Sequence, residues 1–528
     1  MGAAATRRPR GRAASTMGVV ALVLLALTGC DRALGGPLPP GASAPASSSA
    51  PAPADADASA SPEPAEALPG PRVVPGPPAL PAGTTTGLVP RLAAMRTDGF
   101  AAAARWAVPP GSSALGDTLT GRVADALRAF AEEHGTTWSP GVDLVAGGVA
   151  TPCGGGSLFA PSPVRLTVGC TVVVASGPVV GERLVVAAVG PGGAADVRRE
   201  VWYADASGGV HDGTALYADG APRRVLALVS EGLRAAGRID PTEDPFAGLD
   251  HESSRALLAD SVVTGAGAGV VVTLAVPGAP GARPVSVHVP ARLLEPVLSD
   301  VGRAVLAAAS SGEPYAPPDV GAAGDPVDCS LLPCASITFD DGPTSLTPTL
   351  LDTLDGTRAA ATFFLQGASV QRNPGVAARA VAAGHEVANH TWGHPDLTKL
   401  KDDEVVDEVV RTQDAIESAT GVRPTSIRPP YGASNRHVRD LIRLPFVVWD
   451  VDTRDWQDPG VDAVVERAVG QAVPGSIILM HDTHSDTIEA VPSVIAGLRG
   501  RGFALATVSG QFRGALPGAG ALVSHGPG

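Results

Sequence analysis

From residue 335 to residue 511, short apolar runs alternate with amphipathic stretches. Ala335-Ser336-Ile337-Thr338-Phe339 is apolar and too short for a helix, so it predicts a buried strand, and Asp340-Asp341-Gly342-Pro343 supplies the turn that stops it. A helical pattern covers 346–354, a second buried strand covers Ala361-Thr362-Phe363-Phe364-Leu365, and a helix follows at 376–383. Residues 384–389 lead into another strand end. Within 402–419, Val405, Val409 and Ile416 share one face of a predicted helix that Gly421 terminates. Ser426-Ile427, the segment before Trp449 and Ile477-Ile478-Leu479-Met480 read as further strands. Alternating strands and helices predict a parallel α/β architecture, with its chemistry at the C-terminal ends of the strands.

Upstream, residues 88–312 are patterned differently. Leu119, Val123, Leu127 and Phe130 recur at helical spacing before Gly135. Period-two alternation runs through 165–174, strands are predicted at 270–276 and 285–289, and helices at 225–233 and 293–306. This predicts an α+β accessory domain. It carries no acid, histidine or cysteine cluster with catalytic spacing; His288 is placed on the solvent face of its strand, and Trp202-Tyr203 is read as packing rather than as a sugar platform. Residues 31–87 are Ala, Pro, Ser, Gly and Asp with little to bury, a disordered tether; 313–327 reads as a linker, 328–513 as the second folded domain and 514–528 as a frayed tail.

Composition narrows the function. The chain has 528 residues, long enough for two or three domains, and a net charge of −14. That acidity, without a basic stripe beyond the N-terminus, argues against a nucleic-acid partner. Arg7, Arg8, Arg10 and Arg12 precede an apolar run at 19–27 that is too short to span a bilayer, so residues 1–30 read as a targeting segment. Leu27-Thr28-Gly29-Cys30 resembles a bacterial lipoprotein signal, which implies cleavage before Cys30, lipidation of its thiol and attachment to the outer face of the cell membrane by that anchor alone. The remaining four cysteines fall into two close pairs, and export permits the disulfides Cys153–Cys170 and Cys329–Cys334.

The candidate chemistry sits at the predicted strand ends. Adjacent carboxylates in an apolar segment are costly unless something binds them, and a cation is the simplest partner; a solvated Asp-Asp-Gly turn is the plain alternative. His390-Thr391-Trp392-Gly393-His394 spaces two imidazoles four apart, which on one helical turn would aim both at one cation. With Asp341 they make a His-His-carboxylate set. Arg428-Pro429-Pro430-Tyr431, Asp452-Thr453-Arg454-Asp455-Trp456 and Leu479-Met480-His481 close three further strands. Singly, each could be a turn, a surface pair or a capping histidine.

Together, 338–342, 390–394, 428–431, 452–456 and 479–481 resemble, in order, the five motifs of the polysaccharide deacetylase family, carbohydrate esterases with the chitooligosaccharide-deacetylase homology domain. The resemblance implies an irregular (β/α) barrel and a metal-dependent deacetylase. Asp341, His390 and His394 would hold one divalent metal, zinc first, with cobalt, manganese or nickel also suited to the donors. Asp340 would be the general base, His481 the general acid, Arg428 the group that orients Asp340, and the Tyr431 amide an oxyanion donor. Asp452 would partner His481, with Asp455 as second choice, and Trp456, Leu479 and Pro430 would wall the acetyl pocket. His385 and His484 fall outside the motifs and read as structural. In its order of a long strand-rich segment, Leu257-Leu258-Ala259-Asp260, strands at 269–276 and 285–289 and a closing helix, the region from about 88 to 311 loosely resembles an accessory domain of some peptidoglycan deacetylases and anti-sigma-factor-type sensors, which implies binding of wall polymer or of a wall-targeting protein.

Lipid anchoring and a long tether point to N-acetyl groups of peptidoglycan as substrate, with chitooligosaccharide or acetylxylan as alternatives. A glycoside hydrolase needs its two carboxylates several ångströms apart rather than adjacent. A non-catalytic wall-binding or sensor lipoprotein accounts for the tether and middle region but not for five intact motifs.

Overall fold

β-Branched and alanine-rich segments in the first half of the chain supply ten strands: β1 (Arg72–Val74), β2 (Val89–Arg96), β3 (Ala101–Val108), β4 (Arg165–Ser176), β5 (Val179–Val189), β6 (Ala195–Ala204), β7 (Val210–Asp212), β8 (Ser261–Thr264), β9 (Gly269–Leu274) and β10 (Val285–Pro290). They appear in a computed structural model that describes residues 69–527 except 82, 146–152, 154–161, 194, 266–267, 278–282 and 318–324. The targeting segment, Cys30 and most of the expected tether lie outside the described residues.

Strands β2 to β7 form one sheet in chain order, antiparallel except for the β3–β4 pair. The helix Ala114–Glu133 lies on it and buries Leu119, Val123, Leu127 and Phe130, the predicted stripe, together with Leu115. The second sheet, ordered β1-β10-β9-β8, is antiparallel, and the helices Pro222–Ala235 and Asp300–Ser311 pack against it. The single helix expected at 293–306 is interrupted: Ala291–Leu294 ends, and Ser299 caps a new helix by accepting from the Gly302 N–H.

Two expectations fail in this sheet. The tether was expected to run to residue 87, but β1 pairs with β10 in the register Val73↔Val287. That pairing makes β10 an inner strand, so His288 is 5 % exposed rather than on a solvent face. Its ring nitrogens find no partner among the described residues, and burial, with Arg72 nearby, lowers its pKa. Of the Trp202-Tyr203 pair, Tyr203 is core: its hydroxyl donates to the Ser261 carbonyl and accepts from the Val263 N–H.

The second half contributes β11 (Cys334–Asp340), β12 (Ala361–Leu365), β13 (Glu386–Asn389), β14 (Phe446–Val447), β15 (Val451–Asp452), β16 (Ile477–His481), β17 (Ala504–Leu505) and β18 (Leu522–Val523). The parallel order is β13-β12-β11-β16-β15, with β17 alongside the start of β11. Every residue of β11 is buried, as suits a central parallel strand covered on both faces. The inward hydroxyls are satisfied: Ser336 donates to the Ala506 carbonyl and Thr338 to that of Ile478. Single bridges at Asn389–Ile427 and Ile427–Phe446 extend the sheet, but the described residues form no closed sheet. Pro429 and Pro430 cannot donate to a ladder, and β14 and β15 are two residues each, so the far side carries no continuous pairing.

The expected frayed tail is instead built in. β18 pairs with β14, and His525 contacts Asp450 at 2.9 Å. Both expected cysteine pairs are disulfide-bonded. The two halves form one unit, with Leu331 and Leu332 packed into the core beneath Ala114–Glu133 and Trp138 donating to the Leu331 carbonyl.

Candidate active site

The carboxylates stand where β11 ends. Asp340 is the last strand residue and 3 % exposed, while Asp341 turns away with φ 75°. Left-handed backbone is tolerated by Asp better than by most residues, and it swings the second carboxylate out of the pleat. Gly342 follows because nothing larger fits: a methyl group there would run into the Asp482 carboxyl. The sequence gives no motif signal for Asp482. It is fully buried, burial and the neighbouring carboxylates push its pKa up to about 7, and Thr347 donates to it.

His390 and His394 meet Asp341 as expected, but not on a helical turn. The segment after β13 is a loop in which Thr391 and His394 both have positive φ, 62° and 63°. Each Nε2 lies 3.5 Å from Asp341 Oδ1, and the three donor atoms fall within 4.8 Å of one another. His390 Nδ1 is 2.7 Å from the Arg428 carbonyl, so that nitrogen carries a proton and Nε2 faces the cluster. Burial, with His390 beside it, lowers the His394 pKa against the pull of Asp341 and Asp340. Burial raises the pKa of Asp341, but the two histidines and a 2.6 Å hydrogen bond from Gln366 outweigh it and hold the group well below the usual carboxylate range. Two imidazoles and one carboxylate, with His390 and Asp341 each oriented by an outer partner, fit a borderline divalent cation.

On one side of this cluster is the Asp340–Arg428 pair. Arg428 is fully buried, lies 3.9 Å over the Phe364 ring, and donates to Asp340 Oδ1 at 2.7 Å, to Thr338 Oγ1 at 2.8 Å and to the carbonyls of Val447 and Val448. A buried guanidinium with that many fixed partners sets the position of one carboxylate oxygen and leaves the other facing His390, 3.8 Å away.

On the other side is His481. It is the Cα partner of Asp340 across the β11–β16 ladder, so one register places both groups. Its partner is Asp455, not Asp452: Asp455 Oδ1 lies 2.8 Å from His481 Nδ1, and Oδ2 accepts from the His481 N–H at 2.6 Å and from the Thr487 hydroxyl at 2.7 Å. Asp452 ends β15 and accepts from the Arg454 N–H. The chain then reverses through Arg454 at φ 53°, and that turn brings the second carboxylate inward. Burial lowers the His481 pKa, but Asp455, Asp340 and Asp341 override it and push it up to about 9.

Of the expected pocket residues, Leu479 and Pro430 are buried beside the site, and Trp456 stands at the surface, 51 % exposed. Tyr431 has φ 61°, and its exposed ring meets the His394 ring edge-on at 4.7 Å. His385 packs against Phe363 as expected of a structural residue, whereas His484 lies close to His481 and holds Asp458 at 2.9 Å. Gln366, Thr487 and Glu408, which accepts from the Trp392 and Gly393 N–H groups, were not legible in the sequence because each reaches the site from an unrelated element.

The polysaccharide deacetylase family profile matches residues 331–444. Among curated proteins, the chain is 42 % identical over 174 residues to a peptidoglycan-N-acetylglucosamine deacetylase of Listeria monocytogenes, covering 33 % of this chain and 37 % of that protein. It is 41 % identical over 175 residues to a peptidoglycan-N-acetylmuramic acid deacetylase of Bacillus subtilis, covering 33 % and 38 %. To a chitooligosaccharide deacetylase of a Bradyrhizobium strain it is 40 % identical over 186 residues, covering 32 % of this chain and 85 % of that one. The match thus spans well under half the length of the two peptidoglycan deacetylases.

Proposed function

The chain belongs to the polysaccharide deacetylase family, and from that membership we propose that it is a metal-dependent hydrolase removing N-acetyl groups from the amino sugars of cell-wall peptidoglycan. The observation that carries the reading is the placement of Asp341, His390 and His394 between a buried carboxylate held by arginine and a histidine held by aspartate.

In this reading Asp341, His390 and His394 hold one divalent cation, zinc first by donor set, with cobalt, manganese or nickel as alternatives. When bound, the cation supplies Lewis acidity for the acetamide carbonyl and lowers the pKa of water. Asp340, held in place by Arg428, takes a proton from the water that attacks the carbonyl carbon. The backbone at Tyr431, turned by its left-handed conformation, stabilises the developing oxyanion. His481, kept protonated by Asp455, gives its proton to the amide nitrogen as the C–N bond breaks. Acetate and a free amino sugar result. Leu479 and Pro430 exclude water from the acetyl methyl, and Trp456 offers an aromatic surface to the sugar.

The same proposal places the protein outside the cell. Cys30 would carry the lipid, the tether would give reach into the wall, and the two-sheet region would bind wall polymer or a wall-targeting protein. Similarity to a chitooligosaccharide deacetylase over most of that protein's length supports a second reading, with soluble N-acetylglucosamine oligomers as substrate. Acetate release from purified peptidoglycan and from such oligomers, followed by mass analysis of the sugars, decides between them. Faster release from peptidoglycan supports the first reading, and release from oligomers alone overturns it.

A further inference from the structure

At the end of β11 away from Asp340, a cavity of about 440 Å³ lies between β2 and the helix Ser485–Arg501. One wall is apolar: Leu88, Leu92, Leu332, Phe503 and Leu505. The other carries three guanidinium groups, Arg91 from β2, Arg358 from the end of the helix Thr347–Thr357, and Arg499. The exposed residues Ala496 and Gly500 form part of the rim, so solvent reaches it.

The charges do not balance. Among the described residues, Asp325 is the one carboxylate in the lining, and it is already engaged, accepting from Arg358 at 2.8 Å and from the Gly111 N–H at 2.6 Å. Among the described residues, three cations against one anion leave a surplus of two positive charges, because Arg91 and Arg499 donate to neutral carbonyls, those of Pro326, Thr357 and Arg358. Burial, opposed by Asp325 and reinforced to a smaller extent by Arg499 and Arg358, pulls Arg91 down to about 10.

Arg358 itself is unusual. It caps its helix with φ 51°, a conformation glycine adopts at less cost, and its Nε is buried with no partner among the described residues. Arg499 donates to the Thr357 and Arg358 carbonyls, which fixes the helix end that carries Arg358. Guanidinium groups match the oxygens of a phosphate, and a surplus of two charges matches a dianion rather than a single carboxylate.

We infer that this cavity is a binding site for a phosphate-bearing ligand, with the phosphate among Arg91, Arg358 and Arg499 and its organic part against the apolar wall. Arg91 belongs to the two-sheet region and the other two arginines to the parallel-sheet region, so an occupied site clamps the two together. The site is separate from the carboxylate–histidine cluster, which stands at the other end of β11.

The test is calorimetric titration of the full chain, treated with chelator, with inorganic phosphate and with glycerol 3-phosphate; acetate at matched ionic strength is the monoanion control. Saturable binding of one phosphate is expected, with acetate at least about tenfold weaker. Arg358→Gly, which suits the left-handed backbone, should weaken phosphate by about tenfold or more, and Arg91→Gln should do the same should the first variant fold poorly. Tighter binding of the ester supports a phosphate carried on an organic chain, and equal binding supports free phosphate. Absence of saturable binding, or wild-type binding in both variants, overturns the inference. So does loss of binding in His390→Ala, which would put the phosphate in the other cluster.

Discussion

Replacing Asp455 by asparagine should turn His481 from a group protonated at alkaline pH into one that is not. The carboxylate accepts from the His481 ring, the His481 N–H, the Trp456 N–H and Thr487. Burial alone would lower the pKa of His481 below 6.5, yet Asp455, helped by Asp340 and Asp341, holds it at about 9. A cation bound at Asp341 would offset the help from those two, leaving Asp455 as the main support. Asparagine keeps the shape and removes the charge, so the pKa should fall by about 2.5 units or more, roughly 3 kcal/mol. At pH ~8 the protonated fraction then drops from about nine-tenths to about one-thirtieth, a roughly 30-fold loss in kcat, while at pH ~6 only about a quarter is lost. The assay is acetate release as a function of pH. The alkaline limb should move from near 9 to 6.5 or below in Asp455→Asn and stay in place in Asp452→Asn. An unmoved limb in Asp455→Asn would refute the assignment of His481 as an acid sustained by that carboxylate.

Other expectations follow from the same geometry. Arg428→Lys keeps a charge but cannot reach Asp340, Thr338, Val447 and Val448 together; it should cost about 2–4 kcal/mol in urea denaturation and lower kcat about 100-fold. Gly342→Ala would push against the Asp482 carboxyl and shift the Asp340–Asp341 turn, so zinc affinity measured against a competing chelator should fall by about tenfold or more. Deleting residues 514–528 removes β18 and the buried Val523 side chain, and should destabilise the protein by about 2 kcal/mol rather than leave it unchanged as loss of a frayed tail would.

Much of the catalytic region was legible because its signals are local. An apolar run that stops at two aspartates, or a strand that ends at Met480-His481, declares a strand end and its chemistry in a few residues. The partners of those groups were less legible because they depend on how the chain turns. The sequence favoured Asp452 over Asp455 as the partner of His481, and the turn at the left-handed Arg454 reverses that order. The same holds for His390 and His394, whose spacing fits a helical turn although two positive-φ residues bring them together. Long-range pairing was the least legible. β1 and β18 are short segments among proline and glycine, with no periodicity of their own, and each exists because a distant strand offers an edge. His288 was misplaced for that reason: alternation marks two faces of a strand, but not whether a neighbour covers them.

The central claim is that one cation at Asp341, His390 and His394, with Asp340 beside it, makes this chain a deacetylase. The most direct test is acetate release from purified peptidoglycan by the chain from residue 31 onward, with bound metal determined on the same samples, before and after chelation and beside Asp340→Asn. The account predicts release that chelation abolishes and zinc restores, and an Asp340→Asn protein that still binds metal but releases no more than about a thousandth as much acetate. Release that survives chelation, or an Asp340→Asn protein as active as the parent, would contradict it.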